Sequence, residues 1–151
     1  MALEQVIRAA QKSDLLDIMT IEACCFEEDR FSKRQFIYLI TQAKGAFLVV
    51  EQADKVIAYI TLLAHRKRSN LRLYSLAVHP SFKQMHLAQR LIDAGVQYAY
   101  QHAFKSITLE VATSNAAAIQ LYKKNLFELE KSIKDYYAKG KDAFYMKRTL
   151  Y

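Results

Sequence analysis

Glu110 lies in the middle of an apolar stretch, between Leu109 and Val111, whose composition is typical of a β-strand. A carboxylate buried in a sheet costs free energy unless something compensates it, so its presence there indicates a role. Burial disfavours the charged form, which strengthens a carboxylate as a proton acceptor near neutral pH. We therefore interpret Glu110 as a candidate general base. The alternative is a structural glutamate that pairs with a nearby lysine or lies where the strand meets solvent.

A candidate anion site lies between Leu73 and Ala88, in the stretch LYSLAVHPSFKQMHLA. An apolar strand ends at Val78, the only proline of the chain follows as Pro80, and an amphipathic helix begins near Leu87 after a short polar loop. The first amides of a helix lack partners within it and, with the helix dipole, favour a phosphate. The alternative is a strand–turn–helix connection that binds no ligand.

Tyr122 is a candidate proton donor on a helix that Asn115 caps. It follows Asn115 by seven residues, which places it two turns further along the helical face that also carries Ala118. A tyrosine hydroxyl, with an ordinary pKa of about 10, needs a favourable position to act as an acid. The alternative is a core tyrosine whose hydroxyl has a hydrogen-bond partner.

The composition is that of one folded domain, which we place over residues 1–151. Hydrophobic residues make up 52% of the chain, with only three glycines and one proline. No apolar run approaches the roughly 18 residues that span a bilayer, and the N-terminal segment lacks the apolar core of a signal peptide. The adjacent Cys24 and Cys25 suit neither a disulfide framework nor a metal site. We expect a cytoplasmic protein without a membrane segment or a bound metal.

The formal net charge of +7 and the pI near 9.4 indicate a polyanionic partner, or serve solubility alone. The phosphates of coenzyme A, an RNA or a ribosomal surface would each fit. The chain lacks the aromatic-plus-basic signatures of RNA-binding modules and the spacing of zinc modules, so nucleic-acid binding is not the expected main function.

The elements that position these residues alternate between strands and helices. Seven strands and four helices in this order predict an α/β (α+β) fold, in which a mixed sheet carries helices on its faces. Ser32 and Gln35 form a capping box at the second helix, and Ser13 with Asp14 is predicted to cap the first. The predicted elements are a strand at 5–9, helices at about 15–25 and 33–45, strands at 46–51, 56–64 and 73–78, a helix at about 87–103, a strand at 105–112, a helix at 116–125, and strands at 127–137 and 143–150.

The strand–loop–helix stretch resembles the acyl-CoA loop of the GCN5-related N-acetyltransferases, the GNAT family, which usually reads Arg/Gln-x-x-Gly-x-Gly/Ala. Lys83 stands at the basic position and Ala88 at the final small one, while His86 replaces the central glycine. Histidine is enriched at left-handed positions among non-glycine residues, so we expect His86 to support the same turn.

A second stretch, LEVATSNAAAIQLYKKNLFE, resembles the other characteristic block of the family and is most similar to its RimI-like branch. Leu126 occupies the usual glycine of this block. The segment DYYAKGKDAFYM is similar to the ending of RimI-like proteins, so the resemblance spans nearly the whole chain in order. The matching residues of the second block are Glu110, Asn115, Ala118, Tyr122 and Phe127.

The resemblance implies the GNAT fold, with a mostly antiparallel sheet, and acetyl-CoA as co-substrate. It also implies a bulge that splays the central strand from its neighbour, so that freed backbone groups hold the thioester carbonyl and pair with the pantetheine arm. The amides at the helix start would hold the pyrophosphate, with charge supplied by a lysine. The implied cofactor residues are Leu76, Ala77, Val78, Lys83, Gln84, Met85, His86, Leu87, Ala88, Asn115, Ala118, Tyr122 and Lys124.

The implied reaction is direct transfer of the acetyl group to a primary amine, with Glu110 as base and Tyr122 as proton donor to the leaving thiolate. RimI-like enzymes acetylate protein N-termini, which makes a peptide or protein N-terminus, possibly ribosomal, the expected acceptor. An α-amine with a pKa of about 7.8 is roughly 10–15% neutral at pH 7, whereas a lysine amine with a pKa of about 10.4 is about 0.04% neutral. One modest base therefore suits an α-amine better.

Five residues are candidates for contact with the acceptor: Asp29, Arg30, Tyr74, Tyr136 and Tyr137. The alternatives for the charged turn and for the tyrosines are a solvated loop and ordinary sheet packing. Other functions stay open at this point, namely transfer to a small amine or an aminoacyl-tRNA, or a non-catalytic domain that binds coenzyme A. The chain is expected to be a monomer or a homodimer, the latter through an exposed last strand at 143–150.

Overall fold

The computed structural model describes residues 4–26 and 30–151, and these ranges contain seven strands and four α-helices. Short 3₁₀ helices at Lys12–Asp14 and Pro80–Met85 complete them, and the predicted order of strands and α-helices is confirmed. The elements are β1 (Gln5–Ala9), α1 (Leu15–Cys25), α2 (Lys33–Thr41), β2 (Gly45–Gln52), β3 (Lys55–Ala64), β4 (Asn70–Val78), α3 (Leu87–Gln101), β5 (Ser106–Ala112), α4 (Ala116–Lys124), β6 (Glu128–Ala138) and β7 (Lys141–Thr149).

The strands form one sheet in the order β1-β2-β3-β4-β5-β7-β6. The neighbouring pairs are antiparallel except β4 and β5, which run parallel, with α3 as the crossover between them. This is the mixed, mostly antiparallel sheet expected from the sequence.

The position of β7 corrects one prediction. β7 pairs with β5 on one side and with β6 on the other, so segment 143–150 is not an exposed strand that could pair with another chain. The strands at the two edges of the sheet are β1 and β6. β6 reads ELEKSIKDYYA, and charged side chains on an edge strand discourage pairing with other molecules.

Side chains cap the starts of α2 and α4, whereas the starts of α1 and α3 have no side-chain cap. At α2, the amide of Gln35 donates to Ser32 Oγ (3.2 Å) and the amide of Ser32 donates to Gln35 Oε1 (2.7 Å), as the capping box predicts. Asp14 does not cap α1; its carboxylate accepts from the amide of Gln11 (2.7 Å) and from the Arg8 guanidinium (2.8 Å). Asp14 thus stands at the N-cap position of α1, but the predicted side-chain cap is wrong. Its carboxylate is instead bound by the Arg8 guanidinium and the Gln11 amide.

β4 contains a bulge at Tyr74. Leu73 pairs with Leu62 of β3, and Ser75 pairs with the neighbouring β3 residue Thr61, so Tyr74 is one extra residue in β4. The bulge that the family resemblance implies is therefore present.

The bulge changes which face of the sheet each β4 side chain meets. Before it, Leu71 and Leu73 belong to the core layer that α3 and α4 cover. After it, Ala77 belongs to the opposite layer, under α1 and α2, while Leu76 and Val78 pack on the first. The segment at 75–78 thus presents its backbone and side chains in a different register from 70–73.

Leu126 adopts a left-handed backbone conformation with φ of 70°, at the position where the family usually has glycine, and is 67% exposed. A side chain with Cβ in this conformation costs about 1–2 kcal/mol, whereas glycine pays only an entropy cost of about 0.5–1 kcal/mol. We expect Leu126→Gly to raise the free energy of unfolding by about 0.5–1 kcal/mol, measured by urea denaturation. Leu126→Ala keeps the Cβ and should show no such gain; equal gains in both variants would contradict the backbone explanation.

Candidate active site

The parallel strands β4 and β5 separate in the middle of the sheet. β4 remains paired with β3 as far as Val78, but its pairing with β5 stops where Leu73 faces Leu109. Beyond that point the β5-facing side of β4 is open over residues 74–78. Two spaces with shared lining residues lie at this opening.

The first space, which we call the central cavity, has a volume of about 330 Å³. It collects eight of the residues predicted from the sequence, namely Tyr74, Leu76, Glu110, Asn115, Ala118, Tyr122, Tyr136 and Tyr137. Its wall also includes residues that the sequence did not single out for chemistry: Glu22, Phe26, Phe31 and Arg72.

The second space, which we call the groove, has a volume of about 430 Å³ and runs along the open part of β4 to the start of α3. Leu76, Asn115, Ala118 and Tyr122 line both the groove and the central cavity, so the two spaces meet at these residues. The other predicted cofactor residues in its lining are Ala77, Val78, Lys83, His86, Ala88 and Lys124.

His86 lies between the 3₁₀ helix Pro80–Met85 and α3 in a left-handed conformation, with φ of 57° and ψ of 29°. This is the conformation that the sequence predicted for a histidine at a glycine position. The groove thus combines an open strand edge, a helix N-terminus and two cationic side chains, Lys83 and Lys124. These groups fit a ligand with an amide-rich arm and phosphates, such as acetyl-CoA.

Some predicted residues lie outside both spaces. Leu87 is buried in the core at 1% exposure, and Met85 is exposed, with its sulfur accepting from the Gln5 amide at 3.3 Å. Gln84 lines neither space, so the structure does not place these three residues in the lining of the central cavity or the groove. Arg30 is in the lining of neither space, and its Nε donates to the carbonyl of Phe26 at 2.7 Å. Asp29 lies outside the described residues.

Glu110 has a cationic partner, although not a lysine. Its Oε2 accepts from Arg72 Nε at 3.1 Å, and its side chain is 16% exposed. Glu110 therefore faces the central cavity as one member of an ion pair.

Arg72 also holds two of the predicted tyrosines. Its Nη2 donates to the hydroxyl of Tyr136 at 2.9 Å, and its guanidinium carbon lies 4.6 Å from the ring centroid of Tyr74. Tyr136 and Tyr137 stand where the β6–β7 pairing is irregular, next to Asp135 with its positive φ of 55°. The irregular end of this hairpin thus brings both tyrosines to the cavity, and Arg72 fixes one of them there.

Glu22 of α1 is the acidic residue that sequence reasoning missed. It is only 3% exposed, lines the central cavity, and accepts hydrogen bonds from the Tyr59 hydroxyl and, at 3.0 Å, from the amide of Phe31. Burial raises the pKa of Glu22, although both hydrogen bonds oppose the shift. A buried carboxylate of this kind in a cavity is a candidate proton acceptor.

Tyr122 is 7% exposed and lies where the groove meets the central cavity. Burial, with a smaller contribution from nearby Tyr137, raises the pKa of Tyr122 above its ordinary value. The hydroxyl is therefore protonated at neutral pH and can donate, as a proton donor at this junction must.

Within the described ranges, no group of three or more histidine, cysteine, aspartate or glutamate side chains is arranged to hold a metal ion. Among the described helices, none is long and apolar enough to cross a membrane.

Comparison with known proteins agrees with this geometry. The model of the acetyltransferase (GNAT) family matches residues 15–126. The chain is 28% identical to the N-alpha-acetyltransferase daf-31 of Caenorhabditis elegans, over 95% of this chain and 82% of that protein. It is also 28% identical to an N-alpha-acetyltransferase of Sulfurisphaera tokodaii, over 97% of this chain and 94% of that protein.

The fold is also found among solved structures. The crystal structure of Ard1 from Thermoplasma volcanium superposes with a TM-score of 0.90 at 24% sequence identity, covering 97% of this chain and 98% of that one. The expected fold is therefore confirmed over nearly the whole length of the chain.

Proposed function

Because this chain belongs to the GNAT family and is an acetyl-CoA-dependent N-acetyltransferase, we propose that its acceptor is the α-amine at the N-terminus of a peptide or protein. Two full-length relatives that carry the name N-alpha-acetyltransferase support this choice. The observation that carries the proposal is the pair of carboxylates, Glu22 and Glu110, on the wall of one cavity that meets the groove at Tyr122.

The two carboxylates are suited to different tasks, because their surroundings differ. Glu110, which is paired with Arg72 at 3.1 Å, faces the cavity as an acidic group that can attract the ammonium form of the acceptor. Glu22, with a raised pKa, can take a proton from the amine, directly or through a water molecule. The sequence prediction that Glu110 is the base stays a prediction, to be tested beside Glu22.

Acetyl-CoA supplies the activated acyl group, and the residues of the groove position it. The open edge of β4 at 76–78 offers backbone groups, and Lys83 and Lys124 offer charge for the phosphates. The neutral amine forms the new C–N bond as the C–S bond breaks, and Tyr122 gives its proton to the departing sulfur.

The two tyrosines of the β6–β7 hairpin and the aromatic residues Phe26 and Phe31 all line the central cavity. A cavity of about 330 Å³ with aromatic lining suits an extended chain end better than a folded surface. The net charge of +7 also supports substrates presented near a polyanion, such as nascent chains at the ribosome. We place the reaction in the cytoplasm, which suits the free thiols Cys24 and Cys25.

The acceptor can be tested with pairs of peptides of equal length. One member has a free N-terminus and no lysine, and the other has a blocked N-terminus and one internal lysine. Because the neutral fraction of an α-amine exceeds that of a lysine roughly 300-fold at pH 7, we expect kcat/KM to be at least about 100-fold higher for the free N-terminus. Equal rates on both members would contradict the proposal. Turnover of the lysine peptide alone would show that the acceptor is a lysine side chain and not an α-amine.

A further inference from the structure

A third space, with a mostly apolar lining, adjoins the central cavity. Its volume is about 380 Å³, and we call it the α2 pocket because α2 forms one side of it. Tyr38 and Leu39 of α2 and Leu63 of β3 supply most of its apolar wall, and the exposed Arg34 and Gln35 complete that side. The ring of Tyr38 is 54% exposed.

Two aromatic rings lie at the boundary between the α2 pocket and the central cavity and form a partition there. Phe31 and Tyr74 line both spaces, and their ring centroids lie 4.9 Å apart. Tyr74 is the extra residue of the β4 bulge, and its ring packs against the Arg72 guanidinium. The amide of Phe31 donates to Glu22. Both rings of this partition are thus held by residues of the catalytic cavity.

This adjacency points to the acceptor itself as the occupant. A peptide whose N-terminus lies in the central cavity continues outward, and each extended residue adds about 3.3 Å, so its next few side chains pass the partition. We infer that the α2 pocket binds an apolar side chain among residues 2–4 of the acceptor peptide. The inference rests on the proposed function and adds a sequence preference to it.

The preference follows from the lining of the pocket. An apolar side chain covers the wall formed by Tyr38, Leu39 and Leu63, whereas a polar one would lose hydration against this mostly apolar wall. Discrimination by an apolar pocket of this kind is typically about tenfold or more in kcat/KM. The chain therefore reads more of its substrate than the terminal residue.

The test uses peptides that share one accepted N-terminal residue and differ by leucine or serine at position 2, 3 or 4. We expect leucine to raise kcat/KM about tenfold at one of these positions in the wild-type protein. Tyr38→Ala should reduce this ratio to about twofold while leaving turnover of the corresponding single amino-acid amide unchanged. Tyr100→Ala removes an equally large, 43% exposed ring on α3 and serves as the matched control.

The outcomes separate the two proposals. Acetylated peptides with a leucine-to-serine ratio near one at all three positions would overturn the α2 pocket inference and leave the proposed function intact. The same follows if Tyr38→Ala keeps the wild-type ratio. If amino-acid amides and peptides of every N-terminal residue are left unmodified while small amines are acetylated, the proposed function fails and the inference fails with it.

Discussion

Replacing Glu22 by glutamine should lower kcat by about 10²-fold or more and leave acetyl-CoA binding unchanged. The reason is that Glu22 lines the central cavity, whereas the groove, which positions acetyl-CoA, does not include it. Glutamine keeps an oxygen for the Phe31 amide but cannot accept a proton from the amine. Steady-state kinetics and calorimetric titration with acetyl-CoA measure the two quantities separately.

The pH dependence gives a second readout of the same residue. Burial raises the pKa of Glu22, so below that pKa the carboxylate is protonated and cannot accept a proton. In the wild-type protein kcat, measured at saturating acceptor so that the titration of the free amine does not enter, should therefore fall on the acid side at a pH above the ordinary range of a carboxyl group. This acid limb should disappear in Glu22→Gln.

Glu110→Gln is the comparison for both measurements. We expect this substitution to weaken binding of the acceptor, which would appear as a higher KM. It breaks the ion pair with Arg72 but leaves Glu22 in place. If the acid limb disappears in Glu110→Gln and persists in Glu22→Gln, Glu110 is the base and our assignment of Glu22 is wrong.

Gly45→Ala should destabilise the fold far more than the same substitution at Gly140. Gly45 has φ of 130°, and a Cβ built on it would lie 1.9 Å from the carbonyl oxygen of Leu62 and 2.8 Å from its carbon. Both atoms belong to the backbone of β3, so relief requires β2 and β3 to separate. We expect a loss of roughly 4 kcal/mol or more, a large share of the roughly 5–15 kcal/mol that stabilises a typical domain.

Gly140→Ala is the matched control for this loss. Gly140 also has a positive φ, 78°, but a Cβ there would meet no atom within 4 Å. It should cost only the backbone strain of about 1–2 kcal/mol. Thermal unfolding of both variants separates the two contributions, and a Gly45→Ala protein as stable as Gly140→Ala would show that the sheet adjusts without cost.

Local features of this chain were predictable because their causes lie within a few residues. The Ser32–Gln35 capping box and the left-handed His86 each depend on backbone geometry over one turn. The positions of the strands and helices follow from hydrophobic periodicity in the same way. Such short-range causes are enough to predict a candidate anion site at the junction of β4 and α3, and the family resemblance added its interpretation as the acyl-CoA loop.

Glu22 escaped prediction because its environment comes from distant parts of the chain. In the helix sequence LLDIMTIEACC it is the kind of polar residue that faces solvent, yet Tyr59 and Phe31 enclose it. Strand order is equally absent from periodicity, which is why β7 was expected at an edge and lies inside the sheet. The enclosure of Glu22 and the position of β7 both depend on contacts between residues far apart in the sequence, and local sequence patterns do not indicate such contacts.

The bulge at Tyr74 has a consequence for the way this sequence can vary. Substitutions in β4 change side chains one at a time, but a deletion or insertion between Leu73 and Ala77 would exchange the two faces for every residue up to Val78. Loss of one residue would turn Ala77 away from α1 and remove the tyrosine that divides the central cavity from the α2 pocket. We therefore expect related sequences to align across this segment without gaps, even where single residues differ.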